Sequence, residues 1–135
     1  MQRTQNFKGG IRAFAFKKKA KAIARIAPSD SLSITVNGIP FEHKFNNIFS
    51  QMAVISIFEI INSSNFIIVA NTWGGGIESQ ACALRYAIVK CLLGLNYTIK
   101  PALTSYGYVT TDCRKVERKK SGLAKARKAF QFSKR

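Results

Sequence analysis

Residues 12–27 alternate with a period of two. Lys17, Lys19, Lys21 and Arg25 fall on one side, interrupted by Ile23; Lys18, Ala20, Ala22, Ala24 and Ile26 fall on the other, apolar after its first member. The alternation predicts one strand with a basic face and a core face. Helix is the competing assignment, because alanine and lysine favour it. Pro28 to Ser31 supply a turn and Leu32 to Val36 a return strand, with Asn37-Gly38 placed for a tight turn. Phe41 to Ile61 is expected to be one helix whose core face is Phe41, Phe45, Ile48, Phe49, Met52, Ile55 and Phe58. Asn62 to Asn65 breaks the pattern, and Phe66 to Trp73 reads as a buried strand. Gly74, Gly75 and Gly76 then lead into a helix from Ile77 to Leu95, striped by Ile77, Leu84, Ile88, Leu92 and Leu95 and ended by Gly94 or Asn96. Residues 97–111 are mixed, with Pro101 breaking the pattern, and no repeat is apparent. The order β–β–α–β–α predicts an α+β sandwich, one sheet with helices on one face.

Charge divides the chain differently. The 135 residues hold 22 Lys+Arg against 6 Asp+Glu, a net +16. Residues 1–30 carry eight cations against Asp30, residues 31–111 four against three, and residues 112–135 ten against Asp112 and Glu117. A nearly neutral body therefore lies between basic arms, and its 47% hydrophobic content is enough for a core. Residues 1–11 are expected to be a basic extension, 12–111 a globular domain and 112–135 an extended basic tail, ordered only when an anion neutralises it. A polyanion, nucleic acid foremost, is the expected partner. The longest apolar run, Met52 to Phe58, stops at Glu59, so no membrane partner is expected. The start of the chain shows no secretory h-region.

Little in the chain points to catalysis. No carboxylates pair at helical spacing, and the one histidine, His43, has no evident nucleophile, although spacing leaves open a dyad with Cys82 or Cys91. Cys82, Cys91 and Cys113 form no CxxC pair, and Cys82 and Cys91 sit half a turn apart on one helix, so free thiols in a reducing compartment are expected, with no metal and no cofactor. Gly74–Gly76 lacks the Lys-Ser/Thr of a P-loop and the GxGxxG spacing. Close backbone packing, or an RNA-facing turn, is expected there ahead of a phosphate-handling enzyme. The tail mixes arginines, which fork onto phosphate oxygens, with lysines acting as point charges. Phe130 and Phe132 are placed to stack on bases or anchor in a pocket.

The ending Glu117-Arg-Lys-Lys-x-Gly-Leu-x-Lys-Ala-Arg-Lys-Ala-x-Gln-Phe-Ser-Lys-Arg135 resembles the C-terminal signature of the ninth small-subunit ribosomal protein. Ala22-Ile-Ala-Arg-Ile26, Ile34-Thr-Val-Asn-Gly38 and Gly74-Gly-Gly-x-x-x-Gln80 with Ala83-Leu-Arg85 resemble, in order, that family's first strand, hairpin and glycine turn with its helix. The resemblance implies a fold like the second domain of ribosomal protein five. It implies partners in small-subunit rRNA, neighbouring head proteins and the peptidyl-site tRNA, no enzymatic activity, and a tail whose last residues reach the tRNA anticodon stem-loop. Ser133, Lys134 and Arg135 match the tRNA-proximal positions. Lys17, Lys18, Lys19, Lys21, Arg25, Arg85, Arg114, Lys115, Arg118, Lys119, Lys120, Lys125, Arg127 and Lys128 are the candidate rRNA contacts. The family's usual Gly-Arg-Arg-Lys-Thr is here Lys17-Lys-Lys-Ala-Lys21, and Cys113 and Phe130 replace common prolines. Phe, Tyr, Ile, Asn and Lys, all served by A/T-rich codons, make up 51 of 135 residues. That bias points to a mitochondrial ribosome, with a plastid or an A/T-rich bacterium as alternatives. A general nucleic-acid-binding protein outside the ribosome is the other function these features allow.

Overall fold

Lys18 adopts a left-handed backbone, φ 54°, and with Lys19 reverses the chain, so the expected strand over 12–27 is two. In the computed structural model, which describes residues 10–63, 65–112, 114 and 116–133, β1 (Ile11–Lys17) pairs antiparallel with β2 (Ala20–Pro28). The sequence concealed this turn because Lys-Lys carries no Gly, Asn or Asp to announce φ > 0.

The hairpin also changes which side chains share a face. A two-residue turn pairs Lys17 with Ala20 and Phe16 with Lys21. Odd-numbered residues before the turn therefore join even-numbered ones after it. Ile11, Ala13 and Ala15 line up with Ala20, Ala22, Ala24 and Ile26 on the core side, while Arg12, Phe14 and Phe16 join Lys21, Ile23 and Arg25 on the open side. Lys17 thus leaves the face on which the alternation had placed it.

Three more strands complete the sheet: β3 (Ser33–Val36), β4 (Ile39–Pro40) and β5 (Phe66–Trp73), in the order β1-β2-β5-β3-β4. Only β3 and β5 run parallel, the connection being helical, as parallel neighbours require. The segment expected as one helix is α1 (Phe41–Lys44) and α2 (Ile48–Ile61), because Asn47 accepts a hydrogen bond from Phe49 N–H at 3.0 Å and caps a new start. Next comes α3 (Ile77–Leu95), followed by a 3-10 turn (Tyr97–Ile99) and α4 (Lys100–Ser105). Beyond Ser105 the described residues form neither helix nor strand.

The core is one cluster made by the inner side of the sheet with α2 and α3. Its sheet side is built of small residues, Ala15, Ala20, Ala22, Ala24 and Ala70, and α3 answers with Ala81, Leu84, Ala87 and Ile88. Small facing residues let a helix lie close to a sheet at native packing density. Cys91 is buried there with its thiol directed at the Ala24 and Ile11 carbonyls, 3.4 and 3.5 Å away, and burial pushes that thiol up to about 11. Cys82, on the other side of α3, is half-exposed and free.

Two expected core stripes need correction. On α2 the buried residues are Ser50, Val54, Ile57 and Phe58, whereas Ile48, Phe49, Met52 and Ile55 face outward. The helix is apolar on both sides, so periodicity could not say which side is in. On α3, Ile77 and Leu95 are exposed, because they sit at the helix ends beyond the sheet's cover. Strand β5 is buried on one side only, through Ile68, Ala70 and Thr72.

Candidate nucleic-acid interface

The side of the sheet away from the helices carries Arg12, Phe14 and Phe16 on β1, Lys21, Ile23 and Arg25 on β2, and Val69, Asn71 and Trp73 on β5. Register sets Arg12 beside Arg25, Phe14 beside Ile23, and Lys21 between Phe16 and Trp73. Phe14, Phe16 and Trp73 are each 41–46% exposed, and the two phenylalanine rings are 6.3 Å apart and tilted. Three cations among exposed rings on a rigid sheet offer both phosphate contacts and stacking platforms. Arg12, Phe14, Phe16 and Trp73 were missing from the sequence-derived candidates. Their signal was present in the alternation Arg12-x-Phe14-x-Phe16, but it becomes a site only once the hairpin brings it beside Lys21 and Arg25.

At one end of this face stands the hairpin tip, Lys17 to Lys19. The glycine turn holds it in place. Gly74 and Gly75 have φ of +74° and +62°, and a Cβ on Gly74 would lie 2.6 Å from the Lys19 carbonyl oxygen. Gln80 Nε2 donates to the Gly74 carbonyl at 3.1 Å, and Thr72 Oγ1 donates to Gln80 Oε1 at 3.1 Å. Asn37 clamps Thr72 from the far side, accepting from its N–H at 2.8 Å and donating to its carbonyl at 2.9 Å. Gly74 and Gly75 therefore serve close backbone packing against Lys19 and Ala20, and they order a basic tip.

The tail leaves from the same region. Arg85 on α3 lies over the Tyr108 ring at 4.7 Å and the Tyr86 ring at 5.2 Å, a half-buried cation–π stack that pins the root of the tail to α3. Its Nε is buried and has no hydrogen-bond partner among the described residues. Tyr86, Thr110, Thr111, Asp112 and Arg114 line a shallow open groove at this root. Asp112 is held below the usual carboxylate range, first by the Arg114 N–H it accepts and then by the fields of Arg114, Lys17 and Lys18. The tail therefore begins within electrostatic reach of the hairpin tip.

Farther along, Arg114, Arg118, Lys119, Lys120, Lys125 and Lys128 are exposed. Arg127 forks onto Glu117, with Nε and Nη2 donating to its two carboxylate oxygens at 2.9 and 2.5 Å. That exposed pair folds residues 117–128 into a loop, aided by Gly122 at φ +75°. Ser133 is exposed, while Lys115, Lys134, Arg135 and Cys113 lie outside the described residues, as do residues 1–9.

Comparison with protein families matches the chain to the ribosomal protein S9/S16 model over residues 15–135. The chain belongs to the ribosomal protein S9/S16 family. The matched stretch takes in the hairpin from Ala15 onward, the glycine turn and the entire tail. Membership makes the chain a structural ribosomal protein of the small subunit, working in translation, in a family that binds rRNA and is generally non-enzymatic. Among the described residues no helix is long and apolar enough to cross a membrane.

Proposed function

We propose that the chain holds rRNA of the small-subunit head on the open side of its sheet and along its tail, and that Ser133, Lys134 and Arg135 stand beside the anticodon stem-loop of the peptidyl-site tRNA. The observation that carries the first half is the set Arg12, Lys21 and Arg25 interleaved with Phe14, Phe16 and Trp73 on one surface, next to the tip Lys17–Lys19. Arginines grip phosphates with a fork and the tip lysines act as point charges, so position is set without reading sequence. The rings add stacking for unpaired bases, worth about 1–3 kcal/mol per base. Candidate contacts Arg114, Lys115, Arg118, Lys119, Lys120, Lys125, Arg127 and Lys128 extend the grip along the tail, where an RNA phosphate competes with Glu117 for Arg127. The second half is supported by the tail signature through Arg135. A mitochondrial ribosome is the proposed home, on the A/T-rich composition; a division into body 12–111 and tail 112–135, with the fold of the second domain of ribosomal protein five, belongs to the same proposal.

Trp73 is the chain's single tryptophan, so its fluorescence reports directly on the sheet. A single-stranded rRNA fragment is expected to quench it, and changing Phe14 and Phe16 to Ala is expected to weaken binding about tenfold or more. RNA binding that leaves Trp73 unaffected counts against the sheet surface. Deleting Ser133–Arg135 is expected to leave subunit assembly intact and to speed dissociation of peptidyl-site tRNA; an unchanged rate removes the tRNA half of the proposal.

A further inference from the structure

Helix α2 presents a second surface of opposite character. Ile48, Phe49, Met52 and Ile55 are 68%, 79%, 61% and 39% exposed over two turns, while Val54, Ile57 and Phe58 of the same helix are buried in the core. A helix apolar on both sides is the pattern of a helix packed between two apolar layers, and among the described residues only the inner layer is present. The outer stripe runs Ile48, Met52, Ile55, Glu59, and Glu59 is the only charged residue of α2. In a chain of net +16, this helix has no Lys or Arg. The stripe also borders a tyrosine pair: Ser56 and Tyr108 are hydrogen-bonded at 3.0 Å, and the ring of Tyr106, 64% exposed, lies tilted beside that of Tyr108 with centroids 6.3 Å apart.

We propose that the outer face of α2 is the docking surface for another protein of the small subunit, which covers Ile48, Phe49, Met52 and Ile55 with an apolar helix or strand and meets Glu59 with a Lys or Arg. The composition argues for protein over RNA. Exposed aromatics and Met with few lysines are the mark of a protein interface, and a lone carboxylate repels phosphate. Contiguous exposed apolar surface costs solubility unless something covers it. The placement rests on the ribosomal role above, and it divides the molecule into an RNA-facing sheet and tail and a protein-facing helix.

The test places a photo-crosslinking phenylalanine analogue at position 49 of the full chain, and at position 14 as a control, in cells from which small subunits are purified. The expected result is that position 49 gives an RNase-resistant adduct with one small-subunit protein, while position 14 gives an RNase-sensitive one. An RNA adduct at position 49, an adduct with a second copy of the chain, or no adduct in assembled subunits overturns the proposal. Failure of the chain to sediment with small subunits at all would instead remove the ribosomal role. A second variant, Phe49→Gln with Met52→Gln, alters only exposed positions, so the free protein is expected to keep its melting temperature and its RNA affinity. Subunits built with it are expected to release the crosslinked protein roughly tenfold more readily in a salt wash; unchanged retention counts against docking there.

Discussion

Removal of residues 113–135 is expected to lower affinity for small-subunit rRNA by about a thousandfold at moderate salt and to flatten the salt dependence sharply. The segment holds all ten cations of the tail. If roughly six to eight reach phosphates, each contributes about 0.7–0.9 to the slope of log K against log salt. None of its described residues is fully buried, so melting of the body is expected to change little. Replacing Arg12, Lys21 and Arg25 by Gln is the matched comparison, with an expected slope loss of about two to three. A truncated chain with an unaltered slope would show that the tail's charges do not meet phosphate, and the electrostatic account would fail.

Gly74→Ala is expected to destabilise the body by about 2–4 kcal/mol, lowering the melting temperature by roughly 10–20 °C. Two costs combine. The backbone at φ +74° disfavours any Cβ, and that Cβ would meet the Lys19 carbonyl oxygen at 2.6 Å, where the obstacle is main chain and not a flexible side chain. Gly76→Ala is the control: its φ is −95°, and a Cβ there meets nothing within 4 Å. Its expected cost is only about 1 kcal/mol or less, from the weaker helix N-cap. Equal losses in the two variants would contradict the role of the turn as a brace for the hairpin. Because the brace orders Lys17–Lys19, Gly74→Ala is also expected to weaken RNA binding at temperatures where the body is still folded.

The Asp112 carboxyl provides a smaller link between these two regions. Its pKa is depressed in the folded chain, so whatever the tail root gains from it is present above the ordinary carboxylate range and is lost as pH falls through the lowered value. The group is fully exposed, so the effect is screened and small.

Local signals in the sequence were enough for much of this. The Ala20–Ala22–Ala24–Ile26 alternation identified a strand with its core side, since period two survives in any sheet. The tail's role as a polycation follows from ten like charges in one segment, whatever its conformation. The triple glycine announced a position that no side chain could occupy, and the ending of the chain carried the family. The tertiary structure decided matters that depend on contacts distant in sequence. Whether Lys17 or Phe16 joins Lys21 depends on a two-residue turn that lysines do not signal, and one residue of register exchanges the two faces. Which side of α2 is core depends on where α3 lies, because a helix apolar all round has no polar side to exclude. The purpose of Gly74 appears only when Lys19, fifty-five positions earlier, packs against it. The sequence by itself therefore determined the α+β character, the charge and the family; the turn at Lys18–Lys19, the cap at Asn47, and the packing of β1 on β2 and of α2 on α3 determined how the elements divide and which surfaces remained free to bind.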